Sequence, residues 1–211
     1  MHLVKADKTH LKEALSEAVA VLEGGGIVAC PTESSYGLCA RYDGRKALER
    51  LFLLKGRDRG IKPFPLIIGE TGKLSLIAAG DWTAALELAK EFWPGPLTLL
   101  LNARAGLPEL ITREGKVAVR VPGPSFALEL ARSFGFPVTA TSANPSGLAP
   151  ATSAGRVRDY FGDGVDLIVD GGESPGGPPS TIVDAASEEI KVLRAGAISP
   201  EEIMARLGIH G

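Results

Sequence analysis

LKEALSEAVAVLEGGGIVACPTESSYGL, residues 11–38, sets the fold class. Leu11, Ala14, Leu15, Ala18, Val19 and Leu22 recur at the spacing of one helix face, and Gly24-Gly25-Gly26 stops the helix. Ile27 to Cys30 is then a short apolar run suited to a buried strand. Pro31 to Leu38 reads as the loop at the end of that strand. A helix that feeds a strand directly is the unit from which α/β proteins are built.

The same alternation runs outward through the chain. Ala47, Leu48, Leu51 and Leu54 predict a helix over 44–55, followed by a strand from Pro65 to Ile68. A helix from about Asp81 to Trp93 ends at Pro94-Gly95-Pro96, where the strand Leu97 to Leu101 begins. Val117, Val119 and Val121 alternate with Ala118 and Arg120, so Arg120 projects from the face opposite the valines. A helix near Ser125 to Phe134, a strand from Pro137 to Thr141 and a helix from Ser153 to Phe161 follow. Strands are predicted at Asp166 to Asp170, Thr181 to Asp184 and Glu189 to Leu193, with 171–180 a loop between strands. Ser199, Pro200 and Glu202 form a capping box for a last helix. With no repeat or composition shift, one α/β domain over residues 1–211 is expected, its helices packed on a sheet.

Composition narrows the function classes. Of the 211 residues 45% are hydrophobic and 23% charged, enough apolar surface to fold without disorder. The longest apolar runs fall short of the roughly 18–20 residues of a membrane span, and no secretory signal opens the chain, so no membrane role and a cytoplasmic location are expected. A net charge of −2 gives no global attraction for nucleic acid, so any polyanion needs a local cluster. Cys30 and Cys39 are too few for a zinc site or a disulfide framework. His2, His10 and His210 all lie near the termini, so histidine acid–base chemistry is not expected.

Three motif-like strings are turns. Gly69 to Leu74 has too short a spacing for a P-loop, and Leu74 stands where a hydroxyl is required. Gly172 to Gly176 matches a nucleophile elbow in letters, but Gly177-Pro178-Pro179 cannot start the helix an elbow feeds. Gly24 to Gly26 precedes a strand, the reverse of dinucleotide-binding order.

The chemistry concentrates in loops at strand ends. Thr32, Ser34, Ser35 and Tyr36 put four hydroxyls in five residues, enough to ring a small polar ligand or merely to build a turn. Lys55, Arg57, Arg59 and Lys62 put four cations within eight residues, suited to a polyphosphate or to a solvated helix end. Thr141-Ser142-Ala143-Asn144-Pro145-Ser146-Gly147 offers hydroxyl, amide and backbone donors for phosphate or ribose. Ser180 to Asp184 and Arg194-Ala195-Gly196 complete the set.

Taken together, these loops resemble the YrdC-like family of threonylcarbamoyl-AMP synthases, from about Gly24 to Ser199. Seven segments match in order and spacing: residues 31–38, Lys55-Gly56-Arg57, Trp93 to Thr98, Arg120 to Pro122, Ser142-Ala143-Asn144, Ser180 to Asp184 and Leu193 to Gly196. Ser34 stands where the family usually has threonine. The resemblance implies a twisted, open, mixed α/β sheet with a concave, positively lined groove, in the single-domain form. It implies a nucleotidyl transfer: L-threonine, bicarbonate and ATP give L-threonylcarbamoyladenylate and pyrophosphate. That product serves N6-threonylcarbamoylation of adenosine in tRNA, completed by downstream threonylcarbamoyl-transfer proteins. By the same resemblance Lys55, Arg57, Lys62, Ser142, Asn144, Pro150 and Arg194 bind ATP, with Lys55, Arg57, Ser142 and Asn144 carrying the catalysis. Thr32, Ser34, Arg120, Ala140 and Ser180 bind L-threonine. Mg2+ is expected with ATP, with no protein-held metal site evident in the sequence. Binding to tRNA is expected to be weak and salt-sensitive. The alternative reading is a tRNA or double-stranded RNA binding module without catalysis.

Overall fold

The structure, a computed structural model, describes residues 2–56, 62–187 and 189–206. The first helix, α1 (Leu11–Glu23), leads to β2 (Val28–Pro31), as the opening stretch predicts. Ile27 and Ala29 lie in one hydrophobic cluster while Val28 and Cys30 lie in another, so β2 is covered on both faces. Half of the expected 31–38 loop is in fact strand. Tyr36–Cys39 forms β3, which pairs antiparallel with β2, leaving a tight turn over 32–35. The turn closes because Thr32 donates its hydroxyl to the Ser35 carbonyl at 2.7 Å, and the Ser35 carbonyl also accepts from the Thr32 amide at 2.8 Å.

The mixed α/β class holds, but the strands divide into two sheets rather than one. The first sheet has the order β1 (His2–Lys5), β10 (Leu167–Asp170), β2, β3, β9 (Thr141–Ser142). The second runs β12 (Lys191–Arg194), β11 (Thr181–Asp184), β5 (Leu97–Asn102), β7 (Lys116–Arg120), β4 (Leu66–Ile67), β8 (Val138–Thr139). A short β6 (Thr112–Arg113) pairs with β7. Both sheets mix parallel and antiparallel pairs.

The strand expected from Pro137 to Thr141 breaks at Ala140 and contributes to both sheets. On one side of the break the Thr139 amide donates to the Ala40 carbonyl at 2.9 Å; on the other, β9 pairs with β3. The Ala140 amide itself turns to the Pro65 carbonyl at 2.9 Å. This crossing is the seam between the sheets.

The other helices fall where the sequence places them: α2 (Arg45–Lys55), α3 (Thr83–Phe92), α4 (Phe126–Phe134), α5 (Ala154–Phe161) and α6 (Pro200–Arg206). The capping box forms, with the Ser199 amide donating to Glu202 Oε2 at 2.9 Å and the Glu202 amide to Ser199 Oγ at 3.2 Å. Residues 171–180 carry no regular structure, and the elbow-like string feeds no helix. Among the described residues no helix is long and apolar enough to cross a membrane.

Asp166 ties the start of β2 to α2, accepting from the Ile27 amide at 2.7 Å and pairing with Arg50 at 3.0 Å. Burial opposes ionisation of this carboxyl, yet Arg50 and the Ile27 amide outweigh it and hold its pKa below the ordinary 3.8. A depressed folded-state pKa means that the carboxylate stabilises the fold above the ordinary value and that this contribution fades as pH falls through the folded one. Asp166→Asn is therefore expected to cost about 1 kcal/mol near neutrality, water screening the partly exposed pair. Urea unfolding at several pH values should show the gap closing below the carboxylate range.

Candidate active site

Register places one group of candidates in a single row across the second sheet. Leu99 lies opposite Val119, which brings Thr98 and Arg120 side by side one residue further on. Thr98 pairs with Ile182, and Ile182 pairs with Arg194. Residues in one such row point to the same face. Val117, Val119, Leu99 and Leu101 fill the main hydrophobic cluster on the opposite face. Thr98, Arg120 and Arg194 therefore share the face away from that core, as the valine alternation predicts for Arg120.

Ser180, two residues before Ile182 and just ahead of β11, lies on the same face. Its hydroxyl lies 2.8 Å from Thr98 Oγ1, and Arg194 Nη2 donates to its carbonyl at 2.7 Å and its hydroxyl at 3.2 Å. Gly196 permits this packing, since a Cβ there would stand 2.6 Å from the Ser180 carbonyl carbon. Burial, and then the neighbouring Arg120 charge, lower the Arg194 pKa. Two guanidinium groups on one sheet face, Arg120 and Arg194, can attract an anion between them.

Arg120 reaches across the seam to the other sheet's hairpin turn, where Nη1 contacts Glu33 Oε1. Both side chains are largely enclosed, 14% and 22% exposed. Glu33 Oε2 is enclosed too and has no hydrogen-bond partner among the described residues. Ser34 and Thr32 are half-buried in the same turn, with the Ser34 amide 3.3 Å from Thr32 Oγ1. Ala140 is half-buried at the crossing between the sheets.

The second group gathers at the end of α2. Lys55 is 1% exposed, neither the solvated helix end nor the open cation that the sequence allows. Its Nζ donates to the Ser142 carbonyl at 2.6 Å and to Asn144 Oδ1 at 3.2 Å. Ser142 Oγ donates to the same Asn144 oxygen at 2.6 Å. The Asn144 amide group donates to the carbonyls of Pro145 and Leu148 at 2.9 and 2.7 Å, locking the loop. Gly56 ends the helix in the left-handed region at φ 56°, which favours glycine. Lys55 and the Ser142–Asn144 loop, 87 residues away in sequence, thus form one hydrogen-bonded unit.

Lys62 and Pro150 are exposed, and Arg57 lies outside the described residues. A cleft of about 580 Å³ opens beside the turn, lined by residues including Pro31, Ser125, Arg132 and Ser174, but of the sequence candidates it touches Thr32 alone. This cleft lies beside the polar groups rather than over them. Sequence reasoning assigned no role to Glu33 or Thr98. For Thr98 the signal is a polar residue inside the run Leu97-Thr98-Leu99-Leu100-Leu101; for Glu33 it is the lone carboxylate among hydroxyls.

Among the described residues no three His, Cys, Asp or Glu side chains gather as a metal-binding group.

Comparison with known proteins bears on these groups. The Sua5/YciO/YrdC family model, described as telomere recombination, matches residues 20–196. A Pyrococcus abyssi protein named threonylcarbamoyl-AMP synthase is 38% identical over 192 residues, 90% of this chain, and this chain spans 56% of its length. A Thiobacillus denitrificans protein of the same name is 40% identical over 177 residues, 83% of this chain and 92% of the relative. The fold matches the crystal structure of P. abyssi Sua5 complexed with L-threonine at TM-score 0.88 and 36% identity, covering 98% of this chain and 60% of that one.

Proposed function

The chain belongs to the Sua5/YciO/YrdC family, and from that premise we propose that it is a threonylcarbamoyl-AMP synthase. It converts L-threonine, bicarbonate and ATP to L-threonylcarbamoyladenylate, pyrophosphate and water. The observation that carries this reading is one sheet face that bears two guanidinium groups, Arg194 on the Ser180 hydroxyl and Arg120 reaching the hydroxyl-rich turn across the seam. Such a face suits a small anion that also carries a hydroxyl, as threonine does.

In this proposal Arg120 takes the threonine carboxylate, while Ser180, Ser34, Thr32 and the Ala140 backbone surround the rest of the amino acid. Lys55, Ser142 and Asn144, with Arg57, Lys62, the Pro150 backbone and Arg194, hold ATP. Threonine carbamate attacks the α-phosphorus through a carbamate oxygen, and the bond to pyrophosphate breaks. Such a transfer needs positioning and charge stabilisation more than proton chemistry, which fits a chain whose histidines lie near its termini. Mg2+ arrives as the ATP complex. The described residues act as one catalytic unit in the cytoplasm, with weak, salt-sensitive tRNA contact and delivery of product to separate tRNA-modifying proteins. The relatives' names, each a synthase, support an enzyme over an RNA-binding module without catalysis.

Pyrophosphate release from ATP tests the proposal, with threonine and bicarbonate each left out in turn. Release is expected only with all three present, and release that ignores threonine refutes the reading.

A further inference from the structure

We propose that Glu33 is the subsite for the α-ammonium group of the amino-acid substrate, paired with Arg120 as the subsite for its carboxylate. The inference rests on the threonine reading above and assigns a substrate contact to a residue outside the expected pocket set.

Arg120 has several N–H donors and places Nη1 on Glu33 Oε1. Glu33 Oε2 has no donor among the described residues, although it is shut away from water. An enclosed carboxylate oxygen without a donor is an unfavourable arrangement that a bound cation relieves. The pair also spans the seam, with Glu33 on the hairpin turn of one sheet and Arg120 at the end of β7 in the other. A ligand between the sheets therefore meets both charges at once.

The shape of an α-amino acid fits this pair. Its ammonium nitrogen lies about 2.5 Å from its carboxyl carbon, so its opposite charges sit side by side. A zwitterion laid head-to-tail along the Arg120–Glu33 pair places carboxylate on guanidinium and ammonium on carboxylate. The terminal torsion of a glutamate is broad, so a partial turn of the carboxyl brings Oε2 out of its enclosed position toward the ligand while Oε1 stays within reach of the several N–H donors of Arg120. Gly123 leaves room beside the stem, because a Cβ there would only reach ordinary contact with Glu33 Cβ and Cγ at 3.6 Å. Arg194 lies along the same row and adds a second cation to this face, so the substrate carboxylate is still attracted.

A deaminated probe separates this role from simple support of Arg120. Binding of L-threonine and of (R)-3-hydroxybutyrate, which lacks only the amine, is measured on the wild type and on Glu33→Gln. Calorimetry reads the amino acid, and ligand-observed NMR reads the weaker acid. Glu33→Gln is expected to weaken L-threonine by about 10- to 100-fold, the span of a charge-assisted hydrogen bond, and to leave the hydroxy acid within about two-fold. The melting temperature checks that this near-isosteric variant is folded. Equal weakening of both ligands, or threonine binding that is unchanged or tighter, overturns the proposal. Failure of the wild type to bind threonine at all overturns the functional reading itself, a result distinct from any behaviour of Glu33→Gln.

Discussion

Lys55→Met is expected to lower the melting temperature by roughly 5–15 °C and to slow pyrophosphate release by about 100-fold or more. Methionine fills much of the lysine volume, so the effect isolates the ammonium group. Lys55 Nζ is the donor to both the Ser142 carbonyl and Asn144 Oδ1, and the side chain is fully enclosed. The Ser142 carbonyl keeps the Asn144 amide at 3.0 Å and Asn144 Oδ1 keeps Ser142 Oγ at 2.6 Å, so what is lost is the two charge-assisted bonds, roughly 2–4 kcal/mol together after local relaxation. The kinetic loss has a second source. Ser142 and Asn144 are aligned by the same ammonium, and the proposed phosphate site loses a buried positive charge. Calorimetric melting and single-turnover pyrophosphate release, taken on the folded fraction, measure the two parts separately. A Lys55→Met protein with native melting and native rate would remove Lys55 from both roles.

Lys55 also shows how far a sequence can be read. Leu48, Leu51 and Lys55 fall at helical spacing on one face, so the buried position was present in the periodicity. The usual solvation of lysine hid it. The helices and central strands were legible because their apolar spacing is local: α1, α4 and β7 fall where their patterns put them. His2–Lys5 was not legible. Its side chains are mostly exposed, and it is a strand only because β10 offers it a parallel edge. Nor does spacing reveal that residues 137–142 change sheets at Ala140, since the switch depends on strands more than 70 residues away in sequence. The Arg120–Glu33 contact is of this kind as well, joining residues 87 apart. Motif letters collected the right loops, whereas the row of Thr98, Arg120 and Arg194 came from register.

Arg120→Ala is expected to raise the threonine requirement by about 10- to 150-fold, while the ATP requirement moves far less. Arg120→Lys should recover little, because an ammonium cannot present the planar fork of a guanidinium to a carboxylate. Stability changes as well, and this separates the fold from the site. Removing Arg120 strands the enclosed Glu33 carboxylate, and breaking a buried pair from one side costs about 3–5 kcal/mol. Exchanging Glu33 for glutamine in the same protein removes the stranded charge. The double variant Arg120→Ala/Glu33→Gln should therefore regain much of the lost stability, with a clear non-additivity between the two changes. It should not regain threonine affinity, since the carboxylate clamp is still absent. Urea unfolding of the four proteins gives the stability cycle, and initial rates against threonine and ATP give the functional one. If the double variant recovers threonine use along with stability, Arg120 acts through the fold. If threonine and ATP dependence shift equally in Arg120→Ala, it is no dedicated carboxylate clamp.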